Sequence, residues 1–108
     1  MRVFLLAFSF LLLLSGCGPQ LMPFPMDSYV QDADSLAGNR YALRAAIDSQ
    51  LEWDPDKGRL LVVDSDGRRV VVFVPADIDE SIHVGQHFEF AVLVHQNGLL
   101  EVEALQKY

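Results

Sequence analysis

From Arg40 onward, apolar side chains recur at every second position. Tyr41, Leu43, Ala45, Ile47, Leu51 and Trp53 alternate with Arg44, Asp48, Gln50 and Glu52, and Ser49 keeps the phase. A period of two predicts one long, half-buried strand over Tyr41–Trp53. A helix competes, because Leu43, Ile47 and Leu51 also stand four apart and alanines are plentiful. The strand is preferred because a hairpin follows. Asp54-Pro55-Asp56-Lys57-Gly58 is turn chemistry, with proline presetting its dihedral and glycine accepting a left-handed position. Strands are then expected over Arg59–Asp64 and about Arg68–Val74, joined by a turn at Ser65-Asp66-Gly67. Val70 to Val74 is apolar on both faces, which places that strand centrally. Pro75 ends it, having no N–H for the ladder.

Asp77 to Ile82 predicts one helical turn, capped by Asp77 and with Asp79 and Glu80 near its positive end. A strand over Gln86–His95 turns Phe88, Phe90, Val92 and Val94 inward and His87, Glu89, Ala91, Leu93 and His95 outward. A last strand runs from Leu99 to about Gln106, with Leu100, Val102 and Ala104 inward and Glu101 and Glu103 outward. Register decides the loop between them. A two-residue turn at Asn97-Gly98 would set Val94 opposite Glu101 and drive charge into the core face. A three-residue loop, Gln96-Asn97-Gly98, pairs Val94 with Leu100 and Val92 with Val102, with Gly98 left-handed.

The N-terminus follows another pattern. Met1-Arg2 is positive, and Val3 to Leu14 is an apolar run broken by Ser9 alone. That length suits a signal sequence, whereas a membrane-spanning helix needs about 20 apolar residues. A soluble core helix would need a polar face, and the run has none. Leu14-Ser15-Gly16-Cys17 then resembles the lipobox of bacterial lipoproteins. The resemblance covers the first seventeen residues. It implies removal of residues 1–16 and lipidation of Cys17. With Gly18, rather than aspartate, next in the mature chain, it further implies the outer membrane, periplasmic side.

Removing the first 16 of 108 residues leaves 92, enough for one small domain. Arg2 leaves with the signal, so seven basic residues face fifteen acidic ones. Nucleic-acid binding calls for clustered Lys and Arg, so this balance argues against such a partner. One cysteine allows no intramolecular disulfide. Residues 17–39 read as a lipidated N-terminus and flexible tether, because Pro19, Pro23 and Pro25 favour extended backbone. Leu21, Met22, Phe24 and Met26 make the first half unusually apolar for a solvated linker. It rests against the bilayer or its own domain, or it docks into a partner.

Residues 40–108 form the predicted folded domain. Three strands, a short helical link and a two-stranded hairpin resemble the order of an oligonucleotide/oligosaccharide-binding (OB) barrel, here a small five-stranded, half-open one. The resemblance lies in strand order and a long first strand. It implies a ligand platform on the second and third strands, where Leu61, Val63, Val71 and Phe73 would form an apolar face rimmed by Arg59 and Arg69. Either the linker or the helical turn covers that face, or it receives a protein or peptide.

Catalytic motifs are missing: there is no Gly-x-Ser-x-Gly, His-Glu-x-x-His, phosphate loop or Cys–His pairing. No cofactor motif is present either. His87 and His95 share a face but stand eight residues apart, about 26 Å along a strand, too far to share an ion. His83 with His87 lacks a convergent third ligand. Asp54-Pro55-Asp56 and Asp64-Ser65-Asp66-Gly67 lack the downstream glutamate of a calcium loop. The sequence-based expectation is a non-catalytic, membrane-anchored envelope lipoprotein that binds or braces an envelope protein. The alternative is a module for a small ligand, a saccharide or a cation.

Overall fold

The computed structural model describes residues 21–108, and their architecture turns on one strand. β2 (Arg40–Asp54) is long enough to serve two neighbours. Its first half, Arg40 to Ala46, pairs antiparallel with Leu93 to His87 of β5 (His87–Val94). Its second half, Ala46 to Asp54, pairs with Asp64 to Gly58 of β3 (Gly58–Ser65). β3 continues into β4 (Arg68–Pro75), and β4 meets β6 (Leu100–Lys107) in parallel at Val72↔Leu100 and Phe73↔Glu101. β6 runs antiparallel to β5, which returns to β2. The ring is complete, so the half-open barrel expected from the sequence is corrected to a closed one. Register shifts in β2 at Ile47/Ser49 and Gln50/Glu52 supply the reason: bulges bend and twist a strand, letting it pass from one partner to the next. The fold is mainly β, a five-stranded OB-like barrel with one extra short strand and one short helix.

Alternation fills the barrel. Leu43, Ala45, Ile47, Leu61, Val63, Val72, Val74, Phe88, Phe90, Val92, Val94, Leu100 and Val102 are all buried. Val94 pairs with Leu100, Val92 pairs with Val102, and Gly98 is left-handed at φ +80°, as the register argument requires. Three expectations are corrected. Leu51 and Trp53 are each 59% exposed, because the bulges break the alternation and the β2–β3 hairpin outruns the core. Ala104 is exposed while Leu105 packs on the core, because a register shift at Ala91/Val92 precedes its pairing. Asp77 to Ile82 is not helical. A single turn forms where the Ile78 N–H donates to Pro75 O, and then Ile78 and Ile82 pack against the core. Two side chains drawn to one apolar surface outweigh a helix too short to recover its nucleation cost.

The signal reading of residues 1–16 and the lipidation of Cys17 lie outside the described residues. From Leu21 the expected tether is laid on its own barrel. β1 (Met22–Pro23) pairs in parallel with Tyr41 and Ala42. A helix, α1 (Met26–Gln31), and a 3₁₀ turn (Ala33–Leu36) follow, and Phe24, Met26, Tyr29 and Leu36 pack against the core. Asp27 pairs with Arg68, the Asn97 N–H donates to Asp34 Oδ1 at 3.0 Å, and the Tyr29 hydroxyl donates to Gly98 O. Among the described residues no helix is long and apolar enough to cross a membrane.

Burial raises the Tyr29 pKa above the ordinary tyrosine value of about 10. Because the folded-state value is the higher one, its contribution to stability is complete below the unfolded value of about 10 and is lost as pH rises above it through the folded-state value. Tyr29→Phe should therefore lower stability by about 1 kcal/mol at pH 8. The gap to wild type should narrow towards pH 11 in urea titrations. Parallel pH profiles would show that the hydroxyl is not linked to folding.

Candidate functional site

A cleft of about 330 Å³ opens between the β2–β3 turn and the β5–β6 loop, lined by Glu52, Asp54, Lys57, Gly58, Leu60, Phe73 and Leu99. Strand register builds its floor. Glu52 stands opposite Leu60, Leu60 opposite Phe73, and Phe73 beside Glu101, so one row crosses four strands on the outer face. A second row, Ser49, Val62 and Val71, runs next to it. Val71 and Leu99 are 40% and 43% exposed.

The turn at one end is held by its own chemistry. Asp54 Oδ1 accepts from the Asp56 N–H at 2.9 Å, and Lys57 O accepts from the Ala76 N–H at 3.0 Å, latching the turn to the end of β4. Gly58 has φ +138°, and a Cβ there would lie 2.2 Å from Val74 O and 3.0 Å from the Phe73 ring. The missing side chain is what lets Phe73 lie over the turn. At the other end, the His95 N–H donates to Leu99 O at 2.8 Å, and Asn97 adopts φ 69°. The His95 imidazole sits 2.6 Å from Glu101 Oε1. Tyr29 and Asp34 fasten this loop to the N-terminal segment, which fixes where Leu99 stands.

The lining carries carboxylates at Glu52 and Asp54 and one cation, Lys57. An apolar floor with an acidic rim is suited to a segment carrying apolar and basic side chains. Two larger clefts, of about 390 and 580 Å³, share Leu21, Ala42 and Glu89. Both open beside Leu21, at the start of the described chain.

The structure turns the residues of the sequence-derived face to opposite sides of the barrel wall. Val71 and Phe73 point outward as expected, and Arg69 rims the same face, 3.5 Å from Asp48. Leu61 and Val63 do not belong to it: both are completely buried in the barrel. Arg59 pairs with Val74 in the inward phase, so it does not rim the face. The residues the reading missed are Leu60, Val62 and Leu99. In a strand as uniformly apolar as Leu60 to Val63, alternation gives no sign of which set turns inward. Among the described residues no three His, Cys, Asp or Glu gather to hold a metal. His83 is 3.0 Å from Ser81 Oγ, and His87 stacks edge-on against Tyr108.

Strand order and closure make this an OB-like barrel. No family model and no curated protein matches it. Solved structures do. The telomere capping protein Ten1 from Saccharomyces pombe aligns with a TM-score of 0.50 at 12% identity, over 72% of this chain and 75% of that one. A chain of the S. pombe Stn1–Ten1 complex aligns with a TM-score of 0.53 at 14% identity, over 84% and 78%. At that identity the likeness establishes the fold.

It also corrects the functional expectation. Two solved barrels similar to this one are a telomere capping protein and a chain of a complex containing Ten1, not an envelope module. The reading as an outer-membrane, periplasmic lipoprotein is therefore withdrawn. With it go the membrane and envelope partners, the small-ligand alternative and the exclusion of nucleic acid.

Proposed function

We propose that the chain is a non-catalytic OB-fold partner subunit that docks another protein through the platform of Leu60, Val62, Val71, Phe73 and Leu99. The observation that carries this reading is the row from Glu52 through Leu60 to Phe73, outward-facing with Leu60 and Phe73 half-buried, between two braced loops. An apolar surface of this kind is the usual seat of a partner's anchoring side chains. The acidic rim selects a partner segment with at least one Lys or Arg. The Stn1–Ten1 complex supports the reading, as a similar barrel solved in an assembly.

A photo-crosslinking residue at Val71 or Leu99 should trap one protein in the cell of origin. The same residue at Glu89, outward on β5, should not. Phe73→Asp should weaken the isolated complex at least tenfold, in keeping with loss of an anchor worth about 2 kcal/mol. Crosslinks to nucleic acid in place of protein, or equal trapping from both faces, would overturn the proposal. The lipobox resemblance is a reading of the sequence alone. Mass spectrometry of the N-terminal peptide, beside Cys17→Ala, decides whether that thiol is acylated.

A further inference from the structure

We infer that the free edge of β2 between Asp48 and Asp54 is a second docking surface, taking a short extended segment of a basic partner protein. β5 occupies one edge of β2 from Arg40 to Ala46. Beyond Ala46 the β5 ladder stops, and the chain before β5 makes one last exchange with β2: the Ile47 N–H donates to Gln86 O at 2.9 Å and the Gly85 N–H to Ile47 O at 2.8 Å. Val84 and Gly85 form a turn beside Ile47, from which the chain enters β5. Among the described residues, the pairing from Ser49 to Asp54 is to β3 alone. An unpaired edge is a template for an added strand, since main-chain groups supply affinity and alternate side chains supply choice.

Large apolar groups flank this edge. Val84 is 69% exposed, and Leu51 and Trp53 are 59% each. Trp53 pairs with Arg59, in the phase opposite to Glu52 and Leu60, so it stands on the other face of the hairpin from the cleft. An exposed tryptophan is the residue type most enriched among binding hot spots.

Charge chooses the occupant. The segment carries Glu52 and Asp54, with Asp48 3.5 Å from Arg69, Asp56 beside Lys57 in the adjoining turn and Arg59 opposite Trp53 on β3. The charged groups on the strand segment itself are thus acidic throughout. A second copy of this edge would bring the same carboxylates face to face, whereas a strand bearing Lys or Arg would meet them favourably. The bulges at Ile47/Ser49 and Gln50/Glu52 interrupt regular pairing. They prevent open-ended sheet growth and confine an added strand to a few residues.

Three synthetic octapeptides test this, alternating valine with lysine, with glutamate or with serine. The lysine peptide should shift the backbone amide resonances of Ser49 to Asp54 and slow their hydrogen exchange. The glutamate peptide should leave them unmoved, and high salt should weaken the effect. Leu51→Lys/Trp53→Lys should weaken binding at least tenfold while the resonances of Phe73 and Leu99 stay in place. Any one of three results overturns the inference: no shift with the lysine peptide, equal shifts with all three, or shifts confined to the platform. Concentration-dependent dimerisation that broadens Ser49 to Asp54 would give the edge to a second copy instead. Ser49, Glu52 and Asp54 border the platform, so the two proposals are separated by Leu51 and Trp53 on one side and Leu60, Phe73 and Leu99 on the other. Shifts at the first pair alone support the edge, and shifts at the second set alone support the platform.

Discussion

Gly58→Ala is expected to lower the melting temperature by more than about 10 °C. The new Cβ would stand 2.2 Å from Val74 O and 2.9 Å from Pro75 Cα, contacts with backbone that cannot step aside. It would also hold alanine at φ +138°, a region that L side chains rarely adopt. Strain of this kind costs about 1–3 kcal/mol before the collision is counted. In a domain of this size each kcal/mol moves the midpoint by roughly 4–8 °C. Gly67→Ala is the control, because it has φ +85° but nothing within 4 Å of the new methyl. Thermal melts followed by near-UV circular dichroism should show Gly67→Ala losing far less. Equal losses would mean that left-handed backbone, and not the packing of β4 over the turn, sets the demand for glycine. Gly58→Ala should also displace Phe73, which packs on that turn, and so weaken partner docking.

Phe90→Ala is expected to cost about 3–5 kcal/mol, the usual range for emptying a buried aromatic site. Phe90 is completely buried, lies opposite Leu43 on β2 and Leu105 on β6, and its ring is 5.7 Å from that of Phe88. Three strands of the closed ring therefore meet on one side chain. A domain of this kind has on the order of 5–15 kcal/mol in total, so the variant should sit near its unfolding threshold. Phe90→Leu keeps most of the volume and should lose less than about 1.5 kcal/mol. Urea midpoints should fall in the order wild type, leucine, alanine. A loss below 1 kcal/mol for alanine would show that the barrel collapses onto the gap.

Much of the fold is legible in the order of residues. The Gln96-Asn97-Gly98 loop follows from the cost of placing Glu101 in the core. The inward phase of Phe88 and Phe90 follows from strict alternation with His87 and Glu89. The site is legible on one strand but not on its neighbour. On β4, Arg69 sets an outward phase that carries Val71 and Phe73 with it. On β3, Leu60, Leu61, Val62 and Val63 are equally apolar, and only pairing with Phe73 and Val71 turns Leu60 and Val62 outward. Leu99 reads as the first residue of a strand, yet the loop contacts made by Tyr29 and Asp34 hold it at the cleft.

By itself, then, the sequence determined the strands, their turns and most of their inward faces, because alternation, proline and left-handed glycine act over a few residues. Tertiary structure decided what depends on distant partners. It placed the bulges that close the barrel and strand Leu51 and Trp53 in solvent. It drew Ile78 and Ile82 onto the core in place of a helix. It folded Phe24 and Tyr29 back onto the barrel, because apolar side chains in a proline-rich segment take whatever surface the rest of the chain offers them.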